Sequence, residues 1–154
     1  MPLFKDIELT EEDYLRAVVL YGRNVASYKF ALAESLFQIA LEGKELVTLE
    51  TLAGPFSEAL CRHLQLQDKQ TTSPSSKFLN TLRDFNQGLI SEEQKMEATV
   101  RLGFNNVIDA FHVVGHGEIP VRFFYDERKS SIPGIRLTDE LFKISGIESK
   151  DLLK

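Results

Sequence analysis

The sequence lacks most features that are typical of membrane-spanning proteins, of secreted proteins and of proteins stabilised by a bound metal. Its single cysteine, Cys61, excludes an internal disulfide and a paired-cysteine zinc site. No stretch reaches the roughly 20 apolar residues that span a bilayer, and Met1–Thr10 lacks the basic and apolar regions of a signal peptide. We therefore expect a soluble, cytoplasmic protein without a membrane partner, in which Cys61 is a small buried hydrophobic residue.

Several catalytic and nucleotide-binding motifs are also missing. The chain has no Walker phosphate loop, no G-x-G-x-x-G dinucleotide fingerprint and no G-x-S-x-G nucleophile elbow. Its net charge of −5 disfavours a dedicated non-specific DNA-binding protein, although a local basic face is compatible with that balance. The sequence therefore predicts no complete active site in this chain.

Helical patterns dominate what is present. The 154 residues are 43% hydrophobic, which suffices for the core of one domain over residues 1–154. Apolar residues at three- and four-residue spacing predict one long helix from Thr10 to Gly43. Gly54-Pro55 is expected to bend or restart the next helix, and a helix is predicted from Asn106 to about Val114. The residues predicted to cap helix starts are Thr48, Ser73, Ser91, Asn105 and Thr138.

The composition changes after Gly115, where β-branched and aromatic residues become frequent. Ile119–Tyr125 and Ile135–Leu137 flank a polar turn, and this arrangement predicts a β-hairpin over about 119–137. The order of elements predicts a mainly α fold: a bundle of about five to six helices with a small C-terminal β-hairpin.

One cluster of side chains has the chemistry of a metal site. Asp109 and His112 are three residues apart, and His116 and Glu118 follow closely, so carboxylate and imidazole ligands for zinc or iron lie near one another in sequence. However, Gly115 is predicted to end the helix before His116 comes into register. A half-buried structural histidine at position 112 is therefore favoured over a metal ligand.

Two segments have features of DNA-binding proteins. Leu46–Ala53 is similar to the entry of a helix-turn-helix unit, and the later hairpin could serve as a wing against phosphates. The hairpin cations are Arg122, Arg128, Lys129 and Arg136. Acidic residues interleave with these cations, and the leucine–alanine pattern also occurs in ordinary bundles, so both readings stay open.

Four runs of residues are distinctive as strings: Leu20–Ala33, Arg101–Val114, Glu118–Phe124 and Gly134–Phe142. Together they resemble the N-terminal region of certain bacterial HNH endonuclease domain proteins, over nearly the whole chain. In such proteins the nuclease unit lies further C-terminal, holds a divalent metal and uses a histidine as general base. The present chain has no paired cysteines and no credible His-Asn-His constellation, so no catalytic residue is carried over.

The resemblance implies an accessory domain that positions DNA, mediates dimerisation or regulates a nuclease. From its abrupt end at Asp151–Lys154, we expect the chain to be a piece of a longer protein. The expected partners are DNA, a second copy or another protein. The candidate DNA contacts are Arg23, Asn24, Lys29, Asn105, Asn106, Arg122 and Arg136.

A second interpretation is a stand-alone helical module that binds a protein partner or itself. Small residues on the first predicted helix, Gly22, Ala26 and Ala33, allow another helix to approach closely, and the many aromatic residues supply contact surface. For Asn105 and Asn106, helix capping after Gly103 is the simpler alternative to contact with DNA.

Overall fold

A computed structural model describes residues 10–21, 26–67, 76–115 and 117–146. These residues form a mainly α fold with a small antiparallel sheet, which confirms the predicted fold class. A π-helical segment, Thr99–Gly103, directly continues the fifth helix. The helices are α1 (Glu11–Tyr21), α2 (Ala26–Leu41), α3 (Leu49–Gln67), α4 (Lys77–Asn86), α5 (Glu92–Ala98), α6 (Val107–Ala110) and α7 (Asp139–Ile144).

The strands form one three-stranded and one two-stranded sheet, and all neighbours in them are antiparallel. In the larger sheet the order is β1-β5-β4, so β5 is central, and β2 pairs with β3 in the smaller one. The strands are β1 (Leu46–Thr48), β2 (Val113–Val114), β3 (Gly117–Glu118), β4 (Phe124–Asp126) and β5 (Gly134–Leu137).

The single long helix predicted from Thr10 to Gly43 is not observed. Thr10 caps α1 as expected, because its hydroxyl accepts from the Asp13 N–H at 3.2 Å. The described part of α1 ends at Tyr21, and α2 begins at Ala26 and contacts α1. Two segments of one straight helix would not touch in this way, because each residue advances the axis by about 1.5 Å.

The core lies between α2 and α3, whose buried faces pack along each other. Phe56 of α3 is at its centre: the Phe56 ring lies 4.9 Å from that of Phe104 and 6.3 Å from that of Tyr28, between ring centroids. Burial of each such ring contributes about 1.5–3 kcal/mol of hydrophobic stabilisation. This aromatic cluster connects α2 and α3 to the turn that follows the π-helical segment.

Helix α3 runs through Gly54-Pro55 without interruption, so of the bend or restart predicted there, the restart is excluded. Thr48 caps the helix as predicted, with its hydroxyl accepting from the Thr51 N–H at 3.0 Å. Pro55 costs one intrahelical hydrogen bond because it has no N–H. Complete burial of Leu52 and Phe56 on the face against α2 offsets that loss.

The capping predictions for the next two helices had different outcomes. Ser76 caps α4, accepting from the Leu79 N–H at 3.2 Å, whereas the predicted cap at Ser73 lies outside the described residues. The capping box at α5 is confirmed. Ser91 accepts from the Gln94 backbone at 3.1 Å, and the Gln94 side chain accepts from the Ser91 N–H at 2.8 Å.

Helix α6 is shorter than predicted and ends at Ala110 rather than near Val114. The valines Val113 and Val114 form β2 instead, and the Ile119 N–H donates to the His112 carbonyl at 2.9 Å. β-Branched residues favour strands, and Gly115, at φ +68°, permits the reversal of the chain after β2. The short β2–β3 pairing therefore prevails over continuation of the helix.

The predicted hairpin exists but is narrower than 119–137. Only Phe124–Asp126 pairs with β5, and Tyr125 lies opposite Arg136. Strand β1 joins the other edge of β5, so the segment interpreted as a helix-turn-helix entry is a strand followed by one helix. The predicted cap of α7 is confirmed, because the Thr138 hydroxyl accepts from the Leu141 N–H at 3.3 Å.

Candidate functional site

The residues predicted to contact DNA are not gathered on one surface. Asn105 and Asn106 are exposed in the turn before α6. The N-cap predicted at Asn105 was wrong, because Asn106 occupies that position, without a side-chain capping bond. Arg122 and Arg136 lie together at the three-stranded sheet. Arg23 and Asn24 lie outside the described residues.

Lys29 is buried rather than exposed to a nucleic acid. Its side chain is 1% exposed, and Nζ donates to the Val113 carbonyl at 2.8 Å. Burial lowers the pKa of this ammonium from its usual value. Lys29 thus connects α2 to β2 from the inside, and a phosphate group cannot reach it in this conformation.

The candidate metal ligands are engaged by other partners. The Asp109 carboxylate accepts from Arg128 Nη2 at 2.5 Å, and His112 Nε2 accepts from the Phe123 N–H at 2.9 Å. His116 lies outside the described residues. Across the ranges that the structure describes, no three His, Cys, Asp or Glu side chains are grouped to hold a metal ion.

His112 is a structural histidine. It is 1% exposed and packs against the rings of Phe111, Phe123 and Phe124. Burial lowers its pKa from 6.5 to about 3, and the nearby charges of Arg122 and Lys29 act in the same direction. The neutral ring uses Nε2 as an acceptor and fixes the Phe123 backbone beside β4, which supports the interpretation made from the sequence.

Exposed apolar side chains lie on the outer side of the three-stranded sheet. Leu46, Arg136 and Tyr125 are directly opposite one another across β1, β5 and β4, so their side chains form one row. The Arg122 guanidinium lies 5.9 Å from the centroid of the Tyr125 ring, within the range of a cation–π contact. This row and Arg122, with Ile132 from the β4–β5 loop, are called the sheet face below.

The apolar members of the sheet face are each more than half exposed. Leu46 is 66%, Tyr125 52% and Ile132 69% exposed. Leu46 and Ile132 line a groove of about 340 Å³ between β1, β5 and the loop that joins β4 to β5. Clustered exposed apolar side chains with a polar rim are typical of protein-binding surfaces.

The charges of the sheet face are balanced. Arg122 pairs with Glu118 at 3.1 Å, and Arg136 pairs with Glu127 at 3.7 Å. Arg128, at the same end of the sheet, is held by Asp126 at 2.7 Å and by Asp109. Hydrogen bonds from the Arg128 side chain lower the pKa of the Asp126 carboxyl. The surface therefore combines an apolar row with ion pairs of both signs.

Sequence reasoning found the arginines of this surface but not its apolar residues. Leu46 was assigned to a helical region, and Ile132 to a polar turn. Strand β1 has only three residues, so the alternation of exposed and buried positions that marks a strand is too short to recognise in the sequence. Only Val47 is buried, and Leu46 and Thr48 lie on the other side of the strand. Within the described residues, no helix is long and apolar enough to cross a membrane.

Comparison with protein-family models, with curated proteins and with solved structures found no match to this chain. The resemblance to the N-terminal region of HNH endonuclease domain proteins is therefore supported by the residue runs of the sequence alone.

Proposed function

We propose that this chain is a non-catalytic accessory domain that associates with a second copy of itself through the sheet face. One observation carries the proposal: Leu46, Tyr125 and Ile132 are strongly exposed on one surface, and each arginine beside them pairs with a glutamate. Burial of such side chains drives association at about 25 cal/mol per Å² of apolar surface.

The charge distribution favours a second copy as the partner. A two-fold interface uses the same surface on both subunits, so that surface must complement itself. On the sheet face, Arg136 lies between Leu46 and Tyr125, and the two arginines pair with glutamates beside the face. Its balanced charge therefore does not repel its copy. The whole chain carries −5, so two copies repel each other at long range, and a surface with balanced charge adds little to that repulsion.

That the chain belongs to a larger nuclease is a separate part of the proposal, and it rests on the resemblance to HNH endonuclease domain proteins. A dimerising domain would bring two HNH units to one DNA site, and the divalent metal would belong to those units. A cytoplasmic location is part of the same proposal and is supported by the single, buried thiol. A stand-alone interaction module is the alternative.

Light scattering after size-exclusion chromatography tests the self-association. We expect the wild-type chain to approach twice 17.5 kDa at high micromolar concentration, and a Leu46→Lys/Ile132→Lys variant to remain monomeric. The matched control is Leu66→Lys/Leu89→Lys, which places the same charges on exposed leucines away from the sheet. A monomeric wild type, or equal loss in both variants, would refute the proposal.

The mass of the protein in its native cell separates an accessory domain from a stand-alone module. An antibody against this chain should detect a band well above 17.5 kDa if the domain precedes a nuclease unit. A band at 17.5 kDa would leave the dimeric interaction module and remove the nuclease.

Contact with DNA is a second candidate, favoured by the two arginines that flank Tyr125. Aromatic rings and guanidinium groups together bind bases and phosphates. Affinity for a single-stranded oligonucleotide should then fall with salt and fall further in Arg122→Gln/Arg136→Gln. The control is Arg16→Gln/Arg62→Gln, since these exposed arginines also pair with glutamates. Salt-independent binding, or equal loss in both variants, would exclude this role.

A further inference from the structure

A second groove lies away from the sheet, where the start of α3 meets α5 and the π-helical segment. Met96 and Val100 form its floor, and both are half-buried. Glu50, Glu93 and Glu97 form its rim, and its volume is about 420 Å³. This volume is within the range of about 300–1,000 Å³ typical of ligand sites.

The apolar floor is fixed by contacts with α3. Met96 Sδ lies 3.9 Å from Ser57 Oγ, which donates to the Gly54 carbonyl. Gly54 has no side chain, and a Cβ placed there would contact the Met96 methyl group at 3.9 Å. The π-helical segment then contributes Val100 and Arg101 to the groove. Single π-helical turns are frequent at functional sites because the extra residue redirects side chains.

The groove carries a net negative charge, because three carboxylates and one arginine line it. No salt bridge within the described part of the chain engages Glu50, Glu93 or Glu97, although the exposed Arg101 also lines the groove. Glu93 and Glu97 are four residues apart, where like charges on neighbouring helical turns destabilise a helix slightly. A cationic ligand would relieve that repulsion.

We propose that this groove binds a cationic segment of a partner protein that inserts one bulky apolar side chain between the carboxylates. The floor accepts the apolar anchor, and the rim selects lysine or arginine on either side of it. Charge complementarity decides the occupant: nucleic acids and acidic peptides are repelled by the three carboxylates. The site shares no residue with the sheet face and does not depend on its role.

Fluorescence anisotropy with defined peptides tests the groove. The probe is a fluorescein-labelled peptide with one tryptophan flanked on both sides by arginines. We expect saturable binding at physiological salt, and affinity about ten-fold weaker for Glu93→Gln/Glu97→Gln. The matched control, Glu45→Gln/Asp84→Asn, removes the same charge from exposed acids elsewhere and should change affinity less than about two-fold.

A second peptide and a second variant test whether the probe binds in this groove. A peptide with alanine in place of tryptophan should bind more weakly, because the floor then loses its anchor. The Leu46→Lys/Ile132→Lys variant should bind the probe as the wild type does. Absence of binding, equal loss in the two charge variants, or binding that ignores the tryptophan would overturn the proposal, because attraction to the net charge of the whole chain would then explain the data.

Discussion

The imidazole of His112 is kept neutral in the folded chain, and this makes stability depend on pH. Burial lowers its pKa to about 3, whereas in the unfolded chain it is near 6.5. Between these values the unfolded chain binds a proton that the folded chain does not. The contribution of the neutral His112 to stability is therefore fully present above pH 6.5, and it is lost progressively as the pH falls towards about 3.

We predict that lowering the pH from 7.5 to 5 reduces the free energy of unfolding by about 2 kcal/mol, because 1.5 pKa units separate pH 5 from the unfolded value. Urea denaturation at both pH values measures this. A His112→Phe variant should be less stable at pH 7.5, since the Phe123 N–H loses its acceptor, and should lack most of the pH dependence. An unchanged pH dependence in that variant would contradict the account.

Arg128 joins three segments through one guanidinium group. It donates to both oxygens of Asp126, to Asp109 and to the Phe104 carbonyl. Removing the side chain leaves both carboxylates without the guanidinium, and Asp126 keeps only the hydrogen bond from the backbone N–H of residue 128. From the sequence, Arg128 was interpreted as a cation of a DNA-binding wing. The spacing of residues could not show that Asp109, which lies much earlier in the chain, comes close to the Arg128 side chain.

The Arg128→Ala substitution should lower the free energy of unfolding by about 2 kcal/mol, since several charge-assisted hydrogen bonds are lost together. Arg62→Ala is the matched control, because Arg62 pairs with Glu34 in a mostly exposed bridge and should cost less than about 1 kcal/mol. Thermal or urea denaturation measures both. Equal costs would mean that the Arg128 network contributes no more than a surface pair.

At the scale of elements, most helix caps were predicted correctly, whereas strand pairings and the ends of some helices were not. Helix caps at Thr48, Ser91 and Thr138 were predicted because a cap needs only residues three positions apart. Strand β1 was missed because its partner β5 lies about 90 residues further along the chain. The early end of α6 was missed because Val113 and Val114 pair with residues that follow closely in the sequence. The mainly α class followed from the dominant helical periodicity.

Strand β1 reaches β5 only because Gly134 has no side chain. A Cβ at this position would lie 2.0 Å from the Val47 carbonyl oxygen. We predict that Gly134→Ala destabilises the protein by about 3 kcal/mol or more, since the backbone must move to remove the clash. Gly117→Ala, where nothing lies within 4 Å of the added methyl group, should change stability by less than about 0.5 kcal/mol. Equal effects would argue against β1–β5 pairing.

For the whole molecule, the candidate site was only half predictable. Arg122 and Arg136 were found from the hairpin pattern, and the structure brings them together around Tyr125. The exposure of Leu46 and Ile132 could not be predicted, since it depends on which side of the sheet the helices cover. Lys29 is the opposite case: it was predicted to be a surface residue that contacts DNA, and it is buried.

Salt dependence distinguishes the two roles proposed for the sheet face, self-association and binding to DNA. Because the chain carries −5, screening reduces repulsion between copies, and self-association through the balanced sheet face should strengthen from low to moderate salt. Binding to DNA through the same arginines should weaken over that range. Sedimentation velocity at several salt concentrations measures the first effect, and dimers that dissociate as salt rises would contradict the apolar interface.

Hydrogen–deuterium exchange at low and high protein concentration tests the sheet-face dimer most directly, because it reports where copies meet. We expect exchange to slow with concentration in residues 45–48 and 122–137, and to remain unchanged in α4 and in the turn at 87–90. The Leu46→Lys/Ile132→Lys variant should show no concentration dependence. Protection that appears on other elements, or none at a concentration where the chain is dimeric, would contradict the account.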